Sequence, residues 1–446
     1  MIDPGIFKAY DIRGIYPEQL NGEIARRVGR AFVDYLSAKT ITVGRDARVS
    51  SPEIADAFIA GARSRGCQVT DIGLAATDMV YYHVAARSQD GGAIITASHN
   101  PKQYNGIKMV RKDALPLSGE QGIKEIREAL LAGAEGPETA GPEIVHAGIL
   151  EDYARHCLSF IDQKAVRPLR VVLDAGNGMG SVGARATLSK LPLETIALHF
   201  DPDGTFPNHP PDPLEEANRR EIVERVAAEG ADLGIAWDGD ADRCFFIDDT
   251  ATFVPGDFAT AILGEVFCLR ERGARIVYDV RASRAVAERV SSAGGVALMN
   301  RVGHAFIKRR MREEGAAFGG EVSGHFYFRE NFFADNGMIP ALMILELLGK
   351  TGAKLSTLLR PLREHYFLSG EVNSRVADVE AAMERLEGRY RDGRVTKMDG
   401  LSIDYDDWHF NVRPSNTEPL LRLNVEAYSQ EAMERRRDEV LALIRA

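Results

Sequence analysis

No stretch of this chain approaches the ~18 uninterrupted apolar residues that cross a bilayer. The most apolar region, Met338 to Leu348, is broken by Pro340 and Glu346, so no membrane span is expected. A basic segment leading into an apolar run is missing from Met1-Ile2-Asp3-Pro4-Gly5, and no secretory signal is expected. Cysteine is scarce: Cys67, Cys157, Cys244 and Cys268 are the four in 446 residues, with no CxxC pair among them. That argues against a zinc site and a disulfide framework and predicts a reducing, cytoplasmic setting. Positive charge is also short. The net charge of −10 disfavours non-specific nucleic-acid binding. An anionic small molecule is not excluded, because screening over about 8 Å lets a local group of arginines oppose the global sign.

What is present is ordinary for a globular protein: 45% apolar and 27% charged residues, enough for several cores. The length predicts about three domains, with two to four plausible. From Glu23 to Ala38, apolar residues Ile24, Val28, Ala31, Phe32, Tyr35 and Leu36 recur at helical spacing. A strand from Thr40 to Val43 follows, then a helix from Pro52 to Ser64 with Ser51 as its N-cap. Strands at Gln68–Ile72 and Gly92–Ile95 flank a helix at Asp78–Ala86. This alternation predicts an α/β layer with ligands at the strand ends. A small-residue, acidic surface connection runs from Leu131 to Pro142. The layout restarts at Leu169–Asp174 and closes with Leu233–Trp237 and Cys244–Ile247. A third round takes in a helix at Gly256–Arg270 and strands at Arg275–Tyr278 and Val296–Met299. Strand candidates at Tyr366–Asn373, Leu401–Tyr405, Trp408–Val412 and Leu420–Ala427 dominate the tail. The reading is therefore α/β, with three similar α/β domains of mixed sheets (1–147, 148–250 and 251–364) and a smaller C-terminal α+β domain (365–446). No residue-level repeat accompanies the repeated layout.

Four loops carry candidate chemistry. Thr96-Ala97-Ser98-His99-Asn100-Pro101 places a serine just beyond a buried strand, before a turn that Pro101 enforces. A plain polar connection is the alternative. Asp238, Asp240 and Asp242 alternate with Gly239 and Ala241, which in an extended chain aims three carboxylates one way. Such a cluster needs a cation, and oxygen-only ligands suit Mg²⁺. An exposed acidic turn is the alternative; a calcium loop starting at Asp238 is disfavoured, because its last ligand position holds Asp249 instead of glutamate. Gly320-Glu321-Val322-Ser323-Gly324-His325 combines a carboxylate, a hydroxyl and an imidazole, a set that suits sugar hydroxyls and a proton. Arg413-Pro414-Ser415-Asn416-Thr417-Glu418-Pro419 offers a forked cation and several neutral donors, as a phosphate requires. Each of these two also reads as an ordinary turn. Near the start, Tyr10-Asp11-Ile12-Arg13-Gly14 suggests by itself only an Asp11–Arg13 contact.

Taken together and in this order, the four loops resemble those of the α-D-phosphohexomutases, and the resemblance spans essentially the whole chain. The loop at 320–325 and the opening Lys8-Ala9-Tyr10-Asp11-Ile12-Arg13-Gly14 are most similar to the phosphomannomutase/phosphoglucomutase subgroup. The resemblance implies four domains with these loops around a central cleft. It implies that Ser98 carries a phosphoryl group, donates it to a hexose monophosphate of mannose or glucose, and is rephosphorylated by the 1,6-bisphosphate intermediate. Mannose or glucose 1,6-bisphosphate would then serve as activator. Asp238, Asp240, Asp242 and Ser98 would hold Mg²⁺. Arg13 and Lys108 would act beside the reacting phosphate, with Arg243 and, by a weaker inference of our own, Arg45. Lys108 and His325 are candidates for proton transfer. Arg281, His304, Glu321 and Ser323 would contact the substrate, with the last two on the sugar O3 and O4. Arg413, Ser415, Asn416 and Thr417 would grip the distal phosphate. Arg281 stands where similar bifunctional enzymes commonly carry lysine, an exchange that is not conservative. Two rivals remain. A phosphoglucosamine mutase usually has glutamine where Val322 stands, and a silent sugar-phosphate binding protein would bind without turnover. The expected assembly is a monomer or weak homo-oligomer.

Overall fold

The computed structural model describes residues 2–119, 121–133, 139–414 and 420–446. The chain divides into two compact units: Met1–Val254 with Ser323–Leu355, and Pro255–Val322 with Ser356–Ala446.

The first unit holds two mixed sheets built to one plan. In one, the strands run in the order Ile12–Ile15, Tyr104–Arg111, Gly91–Ile95, Thr40–Arg45, Gln68–Leu74, Val145–His146. Gly91–Ile95 is parallel to Thr40–Arg45 on one side and antiparallel to Tyr104–Arg111 on the other. In the other sheet, Leu233–Trp237 is likewise parallel to Leu169–Asp174 and antiparallel to Cys244–Asp248. Both central strands are buried along their full length, as continuous apolar runs covered on two faces must be. The serine loop leaves the end of one, and the carboxylate loop leaves the end of the other. Each returns as an antiparallel neighbour, where the direction of the sheet changes and ligands commonly bind.

Helices close these sheets. Gly22–Leu36 is capped by Asn21, whose side chain accepts the Ile24 N–H, and it buries Val28, Phe32 and Val33. The second helix begins at Ser51, with Ser50 in the capping position. This corrects the expected cap: the Ser51 hydroxyl donates to Asp46 at 2.5 Å instead. The apolar run at Met338 forms the helix Met338–Thr351, buried on nearly all sides. Among the described residues no helix is long and apolar enough to cross a membrane.

In the second unit, Arg275–Asp279 runs parallel to both Val296–Asn300 and Phe318–Gly320, with helices Gly256–Arg270, Arg284–Ser292 and His304–Glu314 alongside. A separate antiparallel sheet includes Leu401–Asp404, Trp408–Pro414 and Leu420–Ala427. The expected strand from Tyr366 to Asn373 is two pieces, Phe367–Leu368 and Val372–Arg375, parted at Gly370, whose φ of 66° is glycine's territory. Of the acidic connection expected from Leu131 to Pro142, residues 134–138 lie outside the described residues.

Candidate active site

The serine loop is held from below by one arginine. Arg48 is 1% exposed, and its guanidinium donates to the carbonyls of Ser98 at 2.7 Å, Asn100 at 2.6 Å, Pro101 at 2.9 Å and Tyr104 at 3.0 Å. Its Nε meets Asp46 at 3.2 Å, and the Asp46 carboxyl is pushed up by burial with Arg48 opposing. These contacts hold Ser98 at a φ of 50°, a left-handed conformation that costs a non-glycine residue roughly 1–2 kcal/mol. Sequence reasoning missed Arg48, and its weaker choice, Arg45, instead lies 3.9 Å from Asp71. Arg13 pairs with Asp11, as expected, and also donates to Asn100.

Facing this loop, Asp238, Asp240 and Asp242 are all buried, with carboxylate oxygens within 4.8 Å of one another. Ser98 Oγ donates to Asp238 at 2.8 Å. The two loops approach so closely that a Cβ on Gly239 would lie 2.4 Å from the Ser98 carbonyl oxygen. Thr77, which sequence reasoning also missed, donates to Asp240 at 2.5 Å. Lys108 Nζ donates to Asp240 and Asp242, both at 2.6 Å. Burial works against its charge, but the two carboxylates outweigh it and the ammonium pKa rises. Burial and the two neighbouring carboxylates push the Asp238 carboxyl well up. Asp242 goes the other way: against burial, the Lys108 ammonium holds it well down. Among the described residues, Oδ1 of Asp240 and Oδ1 of Asp242 are buried with no hydrogen-bond partner, which is how oxygens awaiting a cation present themselves. The triad therefore fits a hard divalent metal ion.

A cationic rim completes the cluster. Arg243 Nε lies 3.6 Å from Asp238 and donates to His325 Nε2 at 3.3 Å. Its Nη1 donates to His99 Nδ1 at 2.8 Å. Arg243 and then burial hold the His99 pKa well down, so this imidazole is a neutral acceptor. Because Arg243 donates to Nε2 of His325, the ring proton sits on Nδ1, 2.9 Å from Ser323 Oγ.

Comparisons with known proteins agree along the whole chain. Residues 4–136, 151–251 and 255–366 match phosphoglucomutase/phosphomannomutase alpha/beta/alpha domains I, II and III, and residues 371–443 match the C-terminal domain. The chain belongs to the phosphoglucomutase/phosphomannomutase family. A Xanthomonas campestris protein named phosphohexose mutases is 42% identical over 98% of this chain and 99% of its own length. A Salmonella montevideo phosphomannomutase is 41% identical over 98% of each. The crystal structure of a family protein from Burkholderia thailandensis superposes with a TM-score of 0.91 at 32% identity, covering 100% of this chain and 98% of its own.

In the second unit of this family member, Arg281 forms a fork on Asp279, with Nε and Nη2 at 3.0 and 2.9 Å. Asp279 also accepts the Val322 N–H at 2.9 Å, tying Arg281 to the sugar loop. Glu321 accepts the Gly303 N–H at 3.1 Å, so it lies beside His304, the first residue of its helix. Glu371, unnoticed in the sequence, gathers three arginines: Arg281 at 3.7 Å, Arg413 at 3.4 Å and Arg422 at 3.3 Å. Nε of both Arg413 and Arg422 is buried without a hydrogen-bond partner among the described residues. Asp279 and Glu371 supply two negative charges against three guanidiniums, and the surplus suits an anion. Ser415, Asn416 and Thr417 lie outside the described residues.

Proposed function

We propose that this chain is a phosphomannomutase/phosphoglucomutase, moving a phosphoryl group between C1 and C6 of mannose or glucose phosphate through phospho-Ser98 and a 1,6-bisphosphate. The observation that carries this is the Ser98 hydroxyl seated on a buried, partly unsatisfied carboxylate triad inside a cationic rim. Bound by Asp238, Asp240, Asp242 and a phosphoserine oxygen, Mg²⁺ would withdraw negative charge from the moving phosphoryl group.

The rest follows from the protein's own groups. Three carboxylates and a phosphoserine of about −2 exceed the charge of one divalent ion, and Lys108, Arg243 and Arg13 supply the balance. Phosphoryl transfer needs alignment and charge more than covalent help. In the first half-reaction a substrate hydroxyl oxygen bonds to phosphorus, the phosphorus–Oγ bond breaks, and the hydroxyl proton leaves. His325, with a lone pair at Nε2, is suited to receive that proton. Lys108, held charged, is suited to give one to Ser98 Oγ. The bisphosphate then returns its other phosphate to Ser98 by the same exchange. Arg281, His304, Glu321 and Ser323 would read the sugar, and Arg413 with Ser415, Asn416 and Thr417 would hold the distal phosphate. O3 and O4 are equatorial in both epimers, so Glu321 and Ser323 accept either. The four buried free thiols support a reducing, cytoplasmic setting. A coupled assay on both sugar 1-phosphates, primed with glucose 1,6-bisphosphate, tests the reading. Ser98→Ala is expected to lose turnover by at least ~10³-fold, and wild-type-like turnover in that variant would reject Ser98 as carrier.

A further inference from the structure

The strand Leu169–Asp174 ends in a carboxylate that the reaction above does not use. Asp174 is buried, and its Oδ1 accepts the Gly176 N–H at 2.9 Å. Its Oδ2 lies 3.1 Å from Nε2 of His209. The other nitrogen of that ring, Nδ1, is 2.9 Å from the Pro210 carbonyl oxygen. A carbonyl can only accept, so Nδ1 carries the ring proton. Nε2 then turns a lone pair toward a carboxylate, and two acceptors at that distance need a positive charge between them: a second proton or a metal ion.

A second imidazole stands beside them. The ring centroids of His199 and His209 are 5.1 Å apart, with planes at 80°. Nε2 of His199 lies 2.9 Å from Glu221 Oε2, again an acceptor, so Nε2 carries that ring's proton and Nδ1 its lone pair. One ligating atom each from Asp174, His199 and His209 lies within 4.8 Å of the other two. Metal-bound imidazoles are characteristically oriented in this way, the outer nitrogen donating to a carbonyl or a carboxylate.

We propose that Asp174, His199 and His209 bind one transition-metal ion of the Zn²⁺ class, separate from the carboxylate triad, with Pro210 and Glu221 orienting the two rings. Two imidazoles and one carboxylate select a borderline-soft ion such as Zn²⁺ or Co²⁺, whereas the oxygen-only triad selects Mg²⁺. The ion braces the segment leading to Asp212, whose carboxylate lies 3.6 Å from His99 of the serine loop.

The intact protein, kept in excess Mg²⁺ to occupy the triad, is titrated with Co²⁺ and read by visible absorption and metal analysis. The expected result is one Co²⁺ per chain, displaceable by Zn²⁺, with the intense visible bands of a low-coordinate nitrogen-ligated site. The double variant H199Q/H209Q is expected to bind none. Glu221 is exposed, so Glu221→Gln should fold normally and bind roughly 10–100-fold more weakly. The proposal is overturned if Mg²⁺-saturated protein takes up no Co²⁺, if natively folded H199Q/H209Q still binds it, or if Glu221→Gln leaves affinity unchanged.

Discussion

Replacing Arg48 by methionine removes a cation of similar length from beneath the serine loop. Four carbonyl oxygens lose their donor, and Asp46, 3% exposed, loses its partner. Breaking a buried ion pair from one side costs about 3–5 kcal/mol. Stranded carbonyls add about 1–3 kcal/mol each where the loop cannot relax toward water. Relaxation limits the sum, because Asp46, already pushed up by burial, will take a proton and the loop will shift. A net loss of about 4 kcal/mol is expected, which corresponds to a fall of roughly 7 °C in Tm for a unit of this size. Because the loop holds Ser98 in a left-handed conformation, phosphoserine formation should also fall by at least ~10²-fold. Differential scanning calorimetry and a phosphorylation time course measure the two effects. Asp46→Asn added to Arg48→Met should recover part of the stability, since no buried charge is then orphaned, but none of the phosphorylation. An Arg48→Met protein with Tm within about 2 °C of wild type and normal phosphorylation would refute the assignment.

Three further outcomes are expected. Gly239→Ala drives a Cβ to 2.4 Å from the Ser98 carbonyl oxygen, and should cost about 1–3 kcal/mol in urea unfolding together with most of the turnover. Removing divalent metal with EDTA should reduce turnover to background, with recovery on adding Mg²⁺; full activity in rigorously metal-free buffer would discard the triad's assigned role. Burial, against the hydrogen bond from Tyr153, raises the Asp78 carboxyl to about 8 in the folded protein. Between about pH 4 and about pH 8 the native state therefore keeps a proton that the unfolded chain has lost, and this group makes stability fall as pH rises. Urea unfolding should show Asp78→Asn gaining on wild type up to about pH 8 and holding a constant advantage above it; equal pH slopes in the two proteins would contradict this.

The architecture was legible because its strands are short apolar runs punctuated by glycine and polar turns, a pattern that burial on both faces imposes. The triad was legible because its three carboxylates stand within five consecutive residues. Arg48 was not, because all its partners in the serine loop are backbone carbonyls, and main-chain acceptors leave no trace in residue identity. Thr77 and Glu371 escaped for a related reason: each gains its meaning from a residue far away in sequence. Ser51 deceived because serine before proline is a common cap, whereas here Asp46 claims its hydroxyl. The Asp174, His199 and His209 group could not be seen at all, since 35 residues separate its ends and no spacing rule joins them.

The central claim is that Ser98 lends and reclaims the phosphoryl group. Peptide mass spectrometry of the intact enzyme after incubation with glucose 1,6-bisphosphate, followed by a chase with mannose 6-phosphate, tests it most directly. The account predicts phosphate on Ser98 before the chase and its loss during the chase, at a rate no slower than turnover. Phosphate on another residue, or turnover with Ser98 never modified, would contradict it.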